Sequence, residues 1–170
     1  RGPDGNGILI EGCVGLAHNR LSIIDLSELG AQPMVSRSGR TSVTYNGEIY
    51  NFRDIAAKLG LTLQSGSDTE VLLEAYEVVG EEVFSELNGM FAFALHDRSK
   101  GQMFIVRDRL GVKPLYLAED ANRTLFSSEI KGLFALAPAL DRRLNTLALH
   151  EWAYYGNALG ERTLFQGVRQ

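Results

Sequence analysis

Met90-Phe91-Ala92-Phe93-Ala94-Leu95-His96-Asp97-Arg98-Ser99-Lys100-Gly101-Gln102-Met103-Phe104-Ile105-Val106 is the stretch from which the fold follows. Phe91, Phe93 and Leu95 alternate with Ala92 and Ala94, the period of two that sends side chains to opposite faces of a strand. Asp97-Arg98-Ser99-Lys100-Gly101 gathers turn formers, and the apolar run resumes at Met103, so a β-hairpin is predicted. A second hairpin is predicted further on, from residues 115–118 through Glu119-Asp120-Ala121-Asn122-Arg123 to residues 125–127.

Working outward, the apolar runs at residues 7–10, 14–17, 21–24 and 42–45 are too short for helices and read as strands. After Asn51, an expected N-cap, Phe52, Ile55, Ala56 and Leu59 follow helical spacing up to Gly60. Ser67-Asp68-Thr69-Glu70 has the form of a capping box and opens a second helix, with Val71, Leu72, Ala75 and Val79 on one face and Gly80 behind it. Residues 129–135 and 147–155 read as two further helices. Consecutive hairpins with helices set outside them predict an α+β domain built on antiparallel sheet. No repeat, low-complexity tract, G-x-G-x-x-G or phosphate loop is present.

Composition narrows the function. Seventeen Lys and Arg against 21 Asp and Glu give a net charge of −4 and a pI near 5.4, which argues against a nucleic-acid partner. The longest run without a charged residue, 87–96, is about half of what a membrane span needs, so no membrane partner is expected. The single cysteine, Cys13, excludes an intrachain disulfide and fits a reducing, cytoplasmic setting. Lying within an apolar stretch, Cys13 is expected to be a small buried thiol rather than a nucleophile. His18, His96 and His150 have no metal-ligand spacing, and no metal site is expected. Glu81, Glu82 and Glu86 read as a solvated helix face.

The stretch Thr44-Tyr45-Asn46-Gly47-Glu48-Ile49-Tyr50-Asn51 carries chemistry. Asn46-Gly47 is open to two readings, a type I′ turn or a pair of converging donors, side-chain amide and backbone N–H, such as an oxyanion hole needs. Glu48 could hold a substrate amino group, Arg20 could clamp a carboxylate, and Asp68 at a helix start could either favour the dipole or receive an ammonium. Together these groups suit an amino acid as ligand.

Eight motifs then occur in order: Arg1-Gly2-Pro3-Asp4, Ala17-His18-Asn19-Arg20-Leu21-Ser22-Ile23-Ile24-Asp25-Leu26-Ser27, Gln32-Pro33-Met34, Tyr45-Asn46-Gly47-Glu48-Ile49-Tyr50-Asn51, Gly66-Ser67-Asp68-Thr69-Glu70, Asn88-Gly89-Met90-Phe91-Ala92, Arg107-Asp108-Arg109-Leu110-Gly111-Val112-Lys113-Pro114-Leu115-Tyr116 and Phe126-Ser127-Ser128-Glu129-Ile130-Lys131. Over nearly the whole chain they closely resemble the class II glutamine amidotransferase domain of glutamine-hydrolysing asparagine synthetases.

The resemblance implies an N-terminal-nucleophile hydrolase fold, an αββα sandwich of two antiparallel sheets, with residues 1–170 as one amidotransferase domain. It assigns Arg20 to the α-carboxylate of glutamine, and Leu21, Ser22, Ile23 and Ile24 to the pocket lining. It assigns Asn46 and Gly47 to the oxyanion hole, and Glu48 and Asp68 to the substrate amino group. The bland alternative for Leu21, Ile23 and Ile24 is core packing. Residues 107–116 and 127–131 read as structural or domain-contact motifs. The implied nucleophile is an N-terminal cysteine upstream of Arg1, so the chain reads as a fragment that does not hydrolyse glutamine alone. The implied partners are glutamine and a C-terminal synthetase domain that uses ATP and Mg²⁺ to activate aspartate, with a homodimer left open; this domain itself is expected to need no cofactor. Two alternatives stand beside this reading: a non-catalytic scaffold of the same fold, and an amidotransferase for another acceptor.

Overall fold

The computed structural model describes residues 2–21 and 28–170, and the chain divides into two compact units, residues 1–112 and 113–170. In the first unit, strands β1 (Gly5–Glu11) and β2 (Val14–Arg20) form an antiparallel hairpin. Strands β3 (Met34–Val35), β4 (Thr41–Ile49), β5 (Gly89–Asp97) and β6 (Gln102–Arg107) form a sheet in that spatial order, antiparallel throughout. Helices α1 (Phe52–Leu59) and α2 (Asp68–Val79), and the short α3 (Val83–Glu86), come between β4 and β5 in the chain.

Alternation along β4 and β5 sorts the layers. Val43, Tyr45, Ile49, Phe91, Phe93 and Leu95 share a core with Ile55 of α1 and Leu72 and Tyr76 of α2, so these side chains face the helices. The opposite face carries the hairpin: Ser42 and His96 bond Glu11 at 3.1 and 3.0 Å, and the Thr44 hydroxyl donates to the Ala17 carbonyl at 3.2 Å. β5 is therefore covered on both sides and buried from Phe91 to Asp97. Its phenylalanines fill the helix layer, and its alanines lie on the hairpin side. This is the α+β, antiparallel arrangement expected.

In the second unit, β7 (Tyr116–Glu119) and β8 (Thr124–Ser127) form the second predicted hairpin. It packs with α4 (Ile130–Leu136) around Ala118, Leu133 and Val168, and α5 (Thr146–Tyr155) follows in the same unit. Among the described residues, no helix is long and apolar enough to cross a membrane.

The structure departs from the local expectations in four places. Asn51 occupies the N-cap position of α1, but its side chain makes no cap bond; it donates to the Glu86 carbonyl and accepts from the Asn88 N–H, both at 2.9 Å, tying the helix entrance to the start of β5. Ser67 caps α2 through the Thr69 N–H, whereas Glu70 turns back to the Gln64 and Ser65 N–H groups at 2.7 Å, so the predicted reciprocal box is only half formed. Cys13 is exposed, contrary to the buried thiol expected: the β1–β2 turn is Gly12-Cys13, with Gly12 at φ 60°, the left-handed first position of a type II′ turn. Of the strand expected at 21–24, Leu21 is exposed and outside any strand, and residues 22–24 lie outside the described residues.

The motif at 107–116 begins with a structural role. Buried Asp108 accepts from the Phe91, Leu110 and Val112 N–H groups, and Arg109 donates to the Leu87 and Ser85 carbonyls. Asp97, also fully buried, ties α2 to the β5–β6 turn. Burial pulls its carboxyl upward, but donation from the Ser99 hydroxyl, the Lys100 and Ser99 N–H groups and the Tyr76 hydroxyl outweighs this and holds it below the usual carboxylate range. The Tyr76 hydroxyl is in turn pushed up to about 12, first by burial and then by its bond to Asp97. A carboxyl depressed by folding stabilises fully above its unfolded pKa of about 4 and less as pH falls through the folded value. Chemical denaturation from pH 7 downward should therefore show an acid limb below about pH 4 that Asp97→Asn flattens.

Candidate active site

β3 covers β4 only at Ser42 and Val43, so the rest of that edge lies open to other partners. The Tyr45 N–H donates to the side-chain oxygen of Gln32 at 2.7 Å, and the Ile49 N–H donates to Asp68 Oδ2 at 2.9 Å. Both donors point away from β5, and N–H groups along a strand alternate in direction, so the Gly47 N–H midway between them points the same way. The other side of the ladder agrees. Gly47 pairs with Phe91, whose own N–H and carbonyl are engaged with Asp108 on the β6 side. Gly47 thus presents a backbone donor at an edge whose two neighbouring donors are already taken.

The position requires glycine for space. A Cβ there would stand 2.2 Å from the Met90 carbonyl oxygen and 2.6 Å from the Phe91 Cα. Asn46-Gly47 lies inside β4, paired with Ala92 and Phe91, so the turn reading is excluded and the converging-donor reading remains. Asn46 is exposed and Glu48 half-buried; by alternation both lie on the face that carries Thr44, the face of the hairpin.

Arg20 reaches the same end of β4 from the hairpin. Glu11, paired with Val14, meets Ser42, and Ala17 and His18 meet Thr44, so β2 advances along β4 and its last residue, half-buried Arg20, arrives towards Asn46 and Glu48. His18 registers this charge: its pKa is lowered by burial and then by the neighbouring guanidinium, leaving the imidazole neutral at pH 7. Asp68 comes from the helix side. Its side chain is buried, and Oδ2 accepts the Ile49 N–H and, at 2.6 Å, the Tyr45 hydroxyl.

Asn46, Gly47 and Glu48 thus lie at the end of β4 where Asp68 bonds Ile49, and the course of β2 carries Arg20 towards that end. Leu21 follows Arg20 directly and is exposed, while Ser22, Ile23 and Ile24 lie outside the described residues. Sequence reading gave no role to Gln32 or Tyr45, because both act through contacts made far along the chain. Among the described residues no three His, Cys, Asp or Glu side chains converge as a metal site.

The arrangement offers a guanidinium, an edge N–H beside a side-chain amide, and two carboxylates. That set can hold an amino acid and stabilise negative charge on a carbonyl oxygen. Ile49 N–H and Gly47 N–H stand about 7 Å apart along the strand. An extended glutamine spans about 5 Å from its amino nitrogen to its side-chain carbonyl carbon, so with hydrogen bonds at each end it fits this interval.

Comparison with known proteins agrees. The chain is 44% identical over 136 residues to asparagine synthetase B [glutamine-hydrolyzing] of Escherichia coli, covering 78% of this chain and 24% of that protein. It is 38% identical over 176 residues to asparagine synthetase [glutamine-hydrolyzing] 3 of Bacillus subtilis, covering 100% and 28%. The chain thus spans about a quarter of the length of these curated relatives. Among solved structures, the glutamine phosphoribosylpyrophosphate amidotransferase of B. subtilis superposes with a TM-score of 0.59 at 22% identity over 71% of this chain and 28% of that one, a likeness of fold. The family model for the glutamine amidotransferase domain matches residues 1–170 from end to end, and the chain belongs to that family.

Proposed function

We propose that this domain hydrolyses the side-chain amide of glutamine to glutamate and ammonia, serving a synthetase domain of the same polypeptide that amidates aspartate. The observation that carries the proposal is the Gly47 N–H at the open edge of β4, beside Asn46 and between two donors already taken. The named relatives support asparagine synthesis over another acceptor. A scaffold without chemistry has no physical need for Arg20, Asn46, Gly47, Glu48 and Asp68 in one place.

In this reading Arg20 takes the α-carboxylate of glutamine, Glu48 and Asp68 take the α-ammonium, and the amide oxygen rests at Asn46 and Gly47. The nucleophile is the thiolate of an N-terminal cysteine outside residues 1–170. Sulfur bonds to the amide carbon while the carbonyl electron pair moves onto oxygen, where the two donors hold it. The cysteine's own α-amine, with an ordinary pKa of about 8, accepts the thiol proton and passes it to the departing nitrogen. The C–N bond breaks and ammonia leaves. Water then cleaves the thioester, giving glutamate and the free thiol. ATP and Mg²⁺ belong to the synthetase domain, and no step in this domain runs through them. A cytoplasmic setting is part of the same proposal.

The test is labelling of the polypeptide that carries the N-terminal cysteine with an electrophilic glutamine analogue, read by intact mass and peptide mapping. One adduct on that cysteine, blocked by glutamine, is expected. Arg20→Ala should slow labelling at subsaturating analogue by about 10- to 100-fold, the worth of a charge-assisted pair. An unlabelled N-terminus would favour the scaffold, and an unchanged rate in the Arg20 variant would remove its assignment.

A further inference from the structure

Asp68 Oδ2 accepts two hydrogen bonds, from the Ile49 N–H at 2.9 Å and the Tyr45 hydroxyl at 2.6 Å. Oδ1 accepts none among the described residues, and it is not sealed off, because the one fully buried side-chain polar atom left unpaired among them is Arg40 Nε. A carboxylate held through one oxygen by two donors at different angles has its plane fixed, and its second oxygen is aimed. Tyr45 is itself held at both ends: its N–H is taken by Gln32 at 2.7 Å, and its ring is buried in the core between sheet and helices. The phenol stays protonated and donates to Asp68, since burial and the neighbouring Asp68 charge drive its pKa far above the ordinary tyrosine value.

We infer that Tyr45 is the positioning residue for amino-group recognition, orienting Asp68 so that Oδ1 faces the α-ammonium of glutamine. This rests on the proposed glutamine site and adds to it how that site separates an α-amino acid from a plain carboxylic amide. Without the hydroxyl, Oδ2 keeps only the Ile49 N–H, the carboxylate can turn about its own bond, and the ammonium loses a fixed partner. Water does not replace the hydroxyl easily, because Tyr45 is only 4% exposed.

The experiment measures binding by calorimetry in the full polypeptide with its N-terminal cysteine replaced by alanine, so that no turnover intervenes. The two ligands are glutamine and the analogue lacking only the α-amino group. Tyr45→Phe should weaken glutamine about tenfold and leave the analogue within about twofold, so the preference for the amino group falls by that ratio. Asp68→Asn should lower the same preference, and the double variant should bind glutamine no more weakly than Asp68→Asn alone. Equal weakening of both ligands by Tyr45→Phe, or additive losses in the double variant, would overturn the inference. In the unsubstituted protein, the Tyr45 hydroxyl proton followed by NMR should shift with glutamine and not with the analogue, which decides the matter even if Tyr45→Phe does not fold; an identical response to both ligands overturns it. Glutamine that binds with the expected preference but is not turned over by the cysteine-bearing polypeptide would sink the hydrolase reading alone.

Discussion

Replacing Asn46 by alanine should lower kcat for the proposed glutamine hydrolysis by on the order of a hundredfold and leave KM within a few-fold. In the proposed site the side-chain amide would meet the amide oxygen most strongly when that oxygen carries charge, and removal of one such donor costs about 3 kcal/mol in the transition state. The fold should hardly notice. Asn46 is exposed, its place in the β4–β5 ladder is a backbone matter, and surface substitutions of this kind shift stability by about 0.5 kcal/mol or less. Asn46→Asp is a sharper probe, since it sets a negative charge where negative charge must develop, and it should be slower than the alanine variant. Steady-state kinetics beside thermal melting separate the outcomes. A fall in kcat with an unchanged melting temperature supports the donor role, and a matching rise in KM would point to ground-state binding instead.

The parts of this molecule that were legible in the sequence are those set by neighbours along the chain. The alternation of Phe91, Phe93 and Leu95 with two alanines predicted a strand because period two is a local property, and the turn at Asp97 to Gly101 closed the hairpin where expected. Helix ends at Gly60 and Gly80 were legible for the same reason. Asn46-Gly47 was not, because the dipeptide serves a tight turn equally well; what decides for a strand is the backbone of Met90 and Phe91, more than forty positions away. Cys13 was misplaced because two residues between short apolar runs look like strand until the pairing of Glu11 with Val14 makes them a turn. The capping box was half right, since Glu70 found donors at Gln64 and Ser65 that lie before the cap. Arg20, Asn46, Gly47, Glu48 and Asp68 could be assembled from the family resemblance, but not the way they meet. The edge that exposes the Gly47 N–H is created by the shortness of β3 and by Gln32 and Asp68 occupying the positions on either side.

That edge yields a second large effect, from a pair of substitutions that strain the same ladder. Gly47 and Gly89 both sit where β4 and β5 approach closely: a Cβ at Gly47 would stand 2.2 Å from the Met90 carbonyl oxygen, and one at Gly89 would stand 2.1 Å from the Glu48 carbonyl oxygen. In each case the obstacle is backbone, so the strands must part, and either alanine variant should lose roughly 3 kcal/mol of stability. Their effects on turnover should differ because different groups move. Gly47→Ala shifts the donor proposed to face the charged oxygen, and kcat should fall by a hundredfold or more with KM much less affected. Gly89→Ala displaces its partner Ile49, whose N–H holds Asp68, so the ammonium end of the site is disturbed; KM should rise about tenfold while kcat stays within a few-fold. Melting curves establish that the two variants are comparably strained, and kinetics below both melting points give the comparison. If both lower kcat alike, loss of activity follows ladder strain in general, and the Gly47 N–H has no special place in it. If the losses separate as stated, two neighbouring positions on the open edge of β4 divide the work, with charge on the amide oxygen met at Gly47 and the amino group at Asp68, held by Ile49.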